Sequence, residues 1–317
     1  MKALVIIVVF IQLMFAVGCR DRSVTEITVF HAGSLAKPFK DIKDAFEKEN
    51  PRVRVLLEAA GSRASARKIT DLKRNADVMA SADEHVIRTL LMPEYTGWAI
   101  RFVTNEMVLM FSEKSKYRKE ITKENWFEIL LRDGVNYGHS EPELDPCGYR
   151  TLLVWQLAQI YYNEKGLYEK LDAKRPRKHI RPKETDLLSL VEFGELDYVF
   201  MYRSVAKQHD FEFIELPKEI NLGSANHSEF YRNATVTLSG RTPHDKIEIN
   251  GEPMIYGITV PKNGSQREWG IKLVEFILSP AGQKIMADNG HPVIDPAESS
   301  DFDKLPEKLK KLSVEKL

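Results

Sequence analysis

Short apolar runs alternate with amphipathic segments from about residue 24 almost to the C-terminus, and this alternation most narrows what the chain can fold into. Strand-length runs followed by helical periodicity give an α/β fold with largely parallel sheets. Glu26 to Ala32 reads as a strand, with Ile27 and Val29 alternating. A helix follows, with Leu35, Phe39, Ile42 and Phe46 at helical spacing and Asn50-Pro51 as its stop. Val53 to Glu58 is the next strand, Ile69 and Leu72 mark the next helix, and Asp77 to Ala80 is a short strand before Asp83 opens a helix to Leu91.

Two of these junctions share one device. The first strand runs into Gly33-Ser34 and the second into Gly61-Ser62, and each serine is placed to cap the helix that follows. Such a junction presents free backbone N–H groups, a hydroxyl and the positive end of a helix dipole, which together suit an oxyanion. Strand C-termini of open α/β sheets are also where ligands collect. One Gly-Ser pair before a helix is simply good capping; two in consecutive units point to a shared crevice.

Further along, Phe102 to Ser112 alternates as a strand, Trp126 to Arg132 reads as a helix and Val135 to His139 as a short strand. Asp145 then caps a helix that starts with Pro146 at its first position and carries Leu153, Leu157 and Ile160. Residues 163 to 185 form a Lys/Arg-rich surface excursion, and a helix resumes at Thr185. Asp197 to Tyr202 is a buried strand with Ser204 capping the next helix, and Phe211 to Leu216 alternates again. Asn250-Gly251 reads as a hairpin turn feeding a strand at Met254 to Val260. Two helices, Ile271 to Leu278 and Ala281 to Asp288, precede a charged, helical-looking tail from Asp301 to Leu317.

The N-terminus adds a destination. Ala3 to Gly18 is apolar except for Gln12, behind Lys2. At ~1.5 Å per residue it reaches about 24 Å, short of a bilayer core of about 30 Å, so residues 1–18 read as a secretory signal. Ala16-Val17-Gly18-Cys19 resembles a lipoprotein box, which makes Cys19 the expected lipid anchor; a plain signal or an uncleaved anchor is the alternative. Cys147 is then a lone thiol, so no internal disulfide is expected. The 46 Lys+Arg balance 46 Asp+Glu, which excludes the basic face of a general nucleic-acid binder.

Seven stretches, in order over almost the entire chain, carry a resemblance. They are Val29-Phe30-His31-Ala32-Gly33-Ser34-Leu35, Glu58-Ala59-Ala60-Gly61-Ser62, residues 76–83, Asp145-Pro146-Cys147-Gly148-Tyr149-Arg150, residues 194–204, Pro253-Met254-Ile255-Tyr256-Gly257 and Ser279-Pro280-Ala281-Gly282-Gln283. In these the chain resembles the substrate-binding proteins of ABC importers for molybdate and tungstate, in the archaeal-type branch. The resemblance implies a two-lobe periplasmic-binding-protein fold (type II), each lobe a mixed sheet flanked by helices, with the ligand in the cleft between them. Residues 24–105 and 218–317 would form one lobe and 106–217 the other, with crossings near Thr104 to Met107 and Glu215 to Lys218.

Carried over by motif, Gly33, Ser34 and Ser62 would donate to the anion from one lobe. Asp145 with the Pro146-Cys147 backbone, Glu184 and Tyr202 would complete the site from the other. Two carboxylates repel a dianion at short range, and the resemblance resolves the conflict by placing Asp145 and Glu184 on the Mo(VI) or W(VI) centre itself. That centre can expand its coordination, whereas sulfur and phosphorus do not readily do so. On the residues alone, Asp145 only caps a helix and Glu184 is an exposed first-turn acid. Cys147 is expected to fill space.

The resulting expectation is an exported, membrane-tethered, monomeric receptor with no enzymatic activity and no cofactor beyond the bound anion. It would deliver molybdate or tungstate to a membrane permease with its ATPase. The competing readings are a receptor for sulfate, phosphate or ferric ion, and an exported hydrolase using Asp145 with Glu184, or Cys147 with His139.

Overall fold

The computed structural model describes residues 24–242 and 244–316, so the signal segment and Cys19 lie outside the described residues. Fourteen strands occur among them: β1 Thr25–His31, β2 Val53–Ala59, β3 Val78–Ser81, β4 Ile100–Thr104, β5 Met107–Phe111, β6 Tyr137–Ser140, β7 Ile180–Arg181, β8 Tyr198–Tyr202, β9 Glu212–Glu215, β10 Thr235–Ser239, β11 Lys246–Asn250, β12 Ile255–Thr259, β13 Val293–Ser299 and β14 Ser313–Glu315. They form a seven-stranded sheet in the order β14-β13-β4-β12-β3-β1-β2, a five-stranded sheet in the order β7-β6-β8-β5-β9, and the separate hairpin β10-β11.

Each large sheet is mixed and flanked by helices, giving two lobes. In the first, β1 pairs in parallel with β2 and β3, and β12 runs antiparallel between β3 and β4. In the second, β6 pairs in parallel with β7 and β8, while β5 lies antiparallel between β8 and β9. The central strands β5 (MVLMF) and β8 (YVFMY) are buried at every position, which accounts for their unbroken apolar runs. Helix Ala36–Glu49 turns Phe39, Ile42 and Phe46 onto the first sheet and stops before Pro51. Helix Pro146–Tyr161 is buried on most of its circumference as far as Ala158, and its Trp155 meets Phe200 at 5.7 Å between ring centroids.

Three expectations need correction. Phe102 to Ser112 is two strands in different sheets, because Asn105 turns its side-chain Oδ1 back onto the N–H of Glu106 (3.0 Å) and the chain changes lobes there. Asn250-Gly251 is not a hairpin turn: β10 pairs with β11 from Thr235–Asn250 to Ser239–Lys246, so the turn lies between Ser239 and Lys246. A Cβ on Gly251 would lie 2.2 Å from the Tyr231 carbonyl oxygen, so this glycine serves a close approach of two backbones. The tail is not simply helical: after helix Glu307–Lys310 it adds β14 in parallel to β13, anchored by buried Leu305 and Leu309.

The hairpin β10-β11 touches both lobes. Thr235 exchanges two hydrogen bonds of 3.0 Å with the Gln156 side chain of the second lobe. Arg67 of the first lobe donates to the Gly240 carbonyl at 2.9 Å.

Candidate functional site

Six strand ends converge between the lobes. From the first, β1 leads into the 3₁₀ turn Gly33–Leu35, β2 into helix Ser62–Thr70, and β3 into Asp83. From the second, β6 leads to Asp145, β7 to the 3₁₀ turn Glu184–Leu187, and β8 ends on Tyr202. Ser34, Ser62, Asp145, Cys147, Glu184 and Tyr202 are all at most 1 % exposed, so the crevice is closed over them.

The expectation that Glu184 is an exposed first-turn acid, which the residues alone favour, is overturned: both its carboxylate oxygens are buried without a hydrogen-bond partner in the described protein. Burial pushes this carboxyl well above its ordinary range, and the neighbouring Asp145 charge adds to the effect. Asp145 performs the expected cap, its Oδ1 accepting from the Cys147 N–H at 3.2 Å. Its Oδ2 accepts from the Glu184 N–H at 2.8 Å. Burial raises the Asp145 carboxyl as well, against the pull of these two N–H groups.

The two Gly-Ser junctions do meet one crevice, but the glycines have a job that capping does not explain. A Cβ on Gly33 would sit 2.8 Å from both Glu184 carboxylate oxygens. A Cβ on Gly61 would sit 2.4 Å from the Leu144 carbonyl oxygen and 2.9 Å from Asp145 Cβ. Each glycine therefore admits the carboxylate-bearing segment of the opposite lobe. Across the same contact, Ala64 N–H donates to the Leu144 carbonyl at 3.1 Å. Buried Arg63 donates to the Glu143 carbonyl at 3.0 Å.

The serines depart from their expected capping role. Ser34 lies inside its 3₁₀ turn and its hydroxyl meets the Tyr256 hydroxyl at 2.9 Å. Ser62 is the first residue of its helix and its hydroxyl accepts from the Ala82 N–H at 2.9 Å. Ser204 makes no cap either: its hydroxyl accepts from Asn105 Nδ2 at 2.7 Å. In each case a buried partner from elsewhere in the fold claims the oxygen that a helix end would otherwise take.

Three residues to which sequence reasoning gave no role support the site. Arg150 donates through Nη1 to the Tyr202 hydroxyl (3.0 Å) and to the Ala82 carbonyl (2.8 Å), and its Nη2 lies 3.4 Å from Asp83 Oδ2. Burial opposes its charge, yet the Tyr202, Asp83 and Tyr149 oxygens around it raise its pKa. Tyr256, on β12, is fully buried and accepts from Asn105 Nδ2 at 3.1 Å. The single charged residue on its helix was the available signal for Arg150; nothing local marked Asn105.

Cys147 is fully buried, its Sγ 3.5 Å from the Phe200 carbonyl, and burial pushes the thiol up. His139 instead places Nδ1 2.7 Å from the Ser140 carbonyl, so the two are not assembled as a nucleophile and base. His31 packs on Phe39 and is lowered to about 4 by burial. Pro146 occupies the first helical position, as expected.

A family model described as bacterial extracellular solute-binding protein matches residues 27–291. The chain belongs to this family. An uncharacterized solute-binding protein of Petrotoga mobilis is 50% identical over 284 residues, covering 90% of this chain and 88% of the relative. The molybdate/tungstate-binding protein WtpA of Thermococcus kodakarensis is 38% identical over 346 residues, covering 98% and 96%. Two solved structures share the architecture at low identity. The periplasmic molybdate-binding protein of Azotobacter vinelandii has a TM-score of 0.58 at 16% identity, over 84% of this chain and 98% of that one. The sulfate-binding protein SubI of Mycobacterium tuberculosis has a TM-score of 0.60 at 15% identity, over 86% and 88%. They establish the fold of this solute-binding protein as that of periplasmic binding proteins.

Proposed function

We propose that this solute-binding protein captures molybdate or tungstate outside the cell and delivers it to the permease and ATPase of an ABC importer. One observation carries the reading: a closed inter-lobe crevice holds two buried carboxylates, one with both oxygens unpartnered, beside three buried hydroxyls. Such a set repels a tetrahedral dianion unless the central atom accepts carboxylate oxygens. Mo(VI) and W(VI) do so; sulfur does not. In this reading Gly33, Ser34, Ser62, Tyr202 and the Pro146-Cys147 backbone surround the anion while Asp145 and Glu184 bind its metal. The near full-length similarity to WtpA supports it. The lobes divide as 24–105 with 218–317, and 106–217. The protein works as a non-enzymatic monomer on the outer face of the membrane, tethered through Cys19 after removal of residues 1–18, with no resident cofactor.

Titration calorimetry tests this. Tungstate binds tightly, and millimolar sulfate does not compete; displacement by sulfate overturns the reading. A second reading has one support, the unpartnered Glu184 carboxylate, which would accept the proton of hydrogenphosphate. Phosphate binding in place of tungstate would establish it.

A further inference from the structure

We propose that Asn105, Tyr256 and Arg150 are positioning residues that fix the direction of hydroxyl protons in the site, so that Ser34 and Tyr202, like Ser62 behind the Ala82 N–H, turn their protons to the ligand as donors. The inference rests on the oxyanion reading above and names what that site demands of its occupant: bare acceptor oxygens on three sides.

The direction follows from which groups can only donate. Asn105 Oδ1 accepts from the backbone N–H of Glu106 (3.0 Å) and Ser204 (3.3 Å), which settles which end of the amide is nitrogen. Its Nδ2 therefore donates to the Tyr256 hydroxyl at 3.1 Å. Tyr256 is fully buried, and its hydroxyl has one other partner among the described residues, Ser34 Oγ at 2.9 Å. An amide nitrogen cannot accept, so the Tyr256 proton goes to Ser34. The Ser34 oxygen is thereby an acceptor on its protein side, and its own proton has no acceptor among the described residues except outward into the crevice.

The other two hydroxyls are set in the same way by shorter routes. Ser62 Oγ accepts from the Ala82 N–H at 2.9 Å and has no second partner among the described residues. The Tyr202 oxygen accepts from Arg150 Nη1 at 3.0 Å, and a guanidinium has no lone pair to offer in return. Each of the three thus has one obligatory donor behind it and one proton to give. A ligand that presents a proton at any of these positions would leave the hydroxyl's own proton without an acceptor in a water-excluded crevice. The acceptors on offer are Asp145 and Glu184.

Asn105→Asp reverses the longest route at nearly constant shape. A carboxylate at this position accepts from Tyr256, Tyr256 accepts from Ser34, and Ser34 turns a lone pair toward the anion. Tungstate affinity measured at pH 8.5 falls more than about tenfold for N105D. Y256F, which removes the route, loses less than about fivefold. The double variant N105D/Y256F recovers to the level of Y256F, a rescue that a structural role for Asn105 would not produce. In a second arm, Arg150→Lys keeps a donor behind Tyr202 and stays within about threefold of wild type, while Arg150→Met loses more than about tenfold. If N105D does not fold, the Arg150 arm decides. Wild-type protein that binds neither tungstate nor molybdate overturns the ligand reading and the inference built on it. Wild-type binding with an unchanged N105D, with additive N105D and Y256F losses, or with equal affinities for R150K and R150M, overturns the proton alignment alone.

Discussion

The backbone N–H of Glu184 donates to Asp145 Oδ2 at 2.8 Å across 39 residues of sequence. With Oδ1 engaged by the Cys147 N–H, Asp145 holds two parts of the second lobe together, whereas the Glu184 carboxylate holds nothing within the protein. The two acids are equivalent toward the proposed ligand and unequal toward the fold.

That inequality separates their variants. Glu184→Gln and Asp145→Ala should each abolish tungstate binding in calorimetry. Asp145→Ala should also lower stability by about 1–2 kcal/mol through loss of its cap, while Glu184→Gln should leave the unliganded protein at least as stable. Equal melting temperatures for the two variants would contradict the arrangement.

The raised Glu184 carboxyl fixes the sign of a pH effect. Its folded pKa lies above the unfolded value, so its adverse contribution appears as pH rises through the folded pKa and is absent below the unfolded value near 4.3. His31, lowered to about 4, His139, lowered to about 4, and His291, lowered to about 3, oppose this by costing stability as pH falls below about 6.5. The difference between variant and wild type cancels the histidines and leaves Glu184 together with its coupling to Asp145. The melting-temperature gain of Glu184→Gln should be largest at pH 8 and shrink toward pH 5; a gain that grows on acidification has the wrong sign.

Gly61→Ala tests the closed interface without touching a ligand group. The new methyl would press on backbone at Leu144, which cannot rotate away, so the lobes must part. Tungstate affinity should drop more than about tenfold. Small-angle scattering should show less compaction on adding tungstate than in wild type; identical compaction would refute the close-approach role.

Cys147 should behave as an inert, buried side chain. Iodoacetamide at pH 7 should leave it unmodified in the folded protein. Cys147→Ala should keep tungstate affinity within about threefold, at a stability cost on the order of 1 kcal/mol. Alkylation within minutes would show an accessible thiolate instead.

The elements were legible where burial was one-sided or strand-length: the run at β8, the stripe Phe39–Ile42–Phe46 and the Asp145-Pro146 start all appear as the residues imply. Ser34, Ser62 and Ser204 were misread because capping is judged from neighbours in sequence, whereas Tyr256, Ala82 and Asn105 reach these hydroxyls over 222, 20 and 99 residues. The change of sheet at Asn105 was hidden for a related reason, since alternation continues smoothly through a crossing. Glu184 shows the limit most clearly. Its local sequence is polar and basic, and only the packing of the Gly33–Leu35 turn against it makes it a buried acid.

The glycines at 33 and 61 also bear on how the history of such a receptor is read. In the proposed arrangement, a lineage that keeps every ligand-contacting side chain would still be expected to lose its cargo on gaining one methyl group where backbone stands in the way, as at Gly61. Comparisons that count only serines, tyrosines and acids would score such a descendant as intact. Hydrogen at these two alpha-carbons is a separate inherited trait, and whether a distant homologue still carries the ion should be judged on it too.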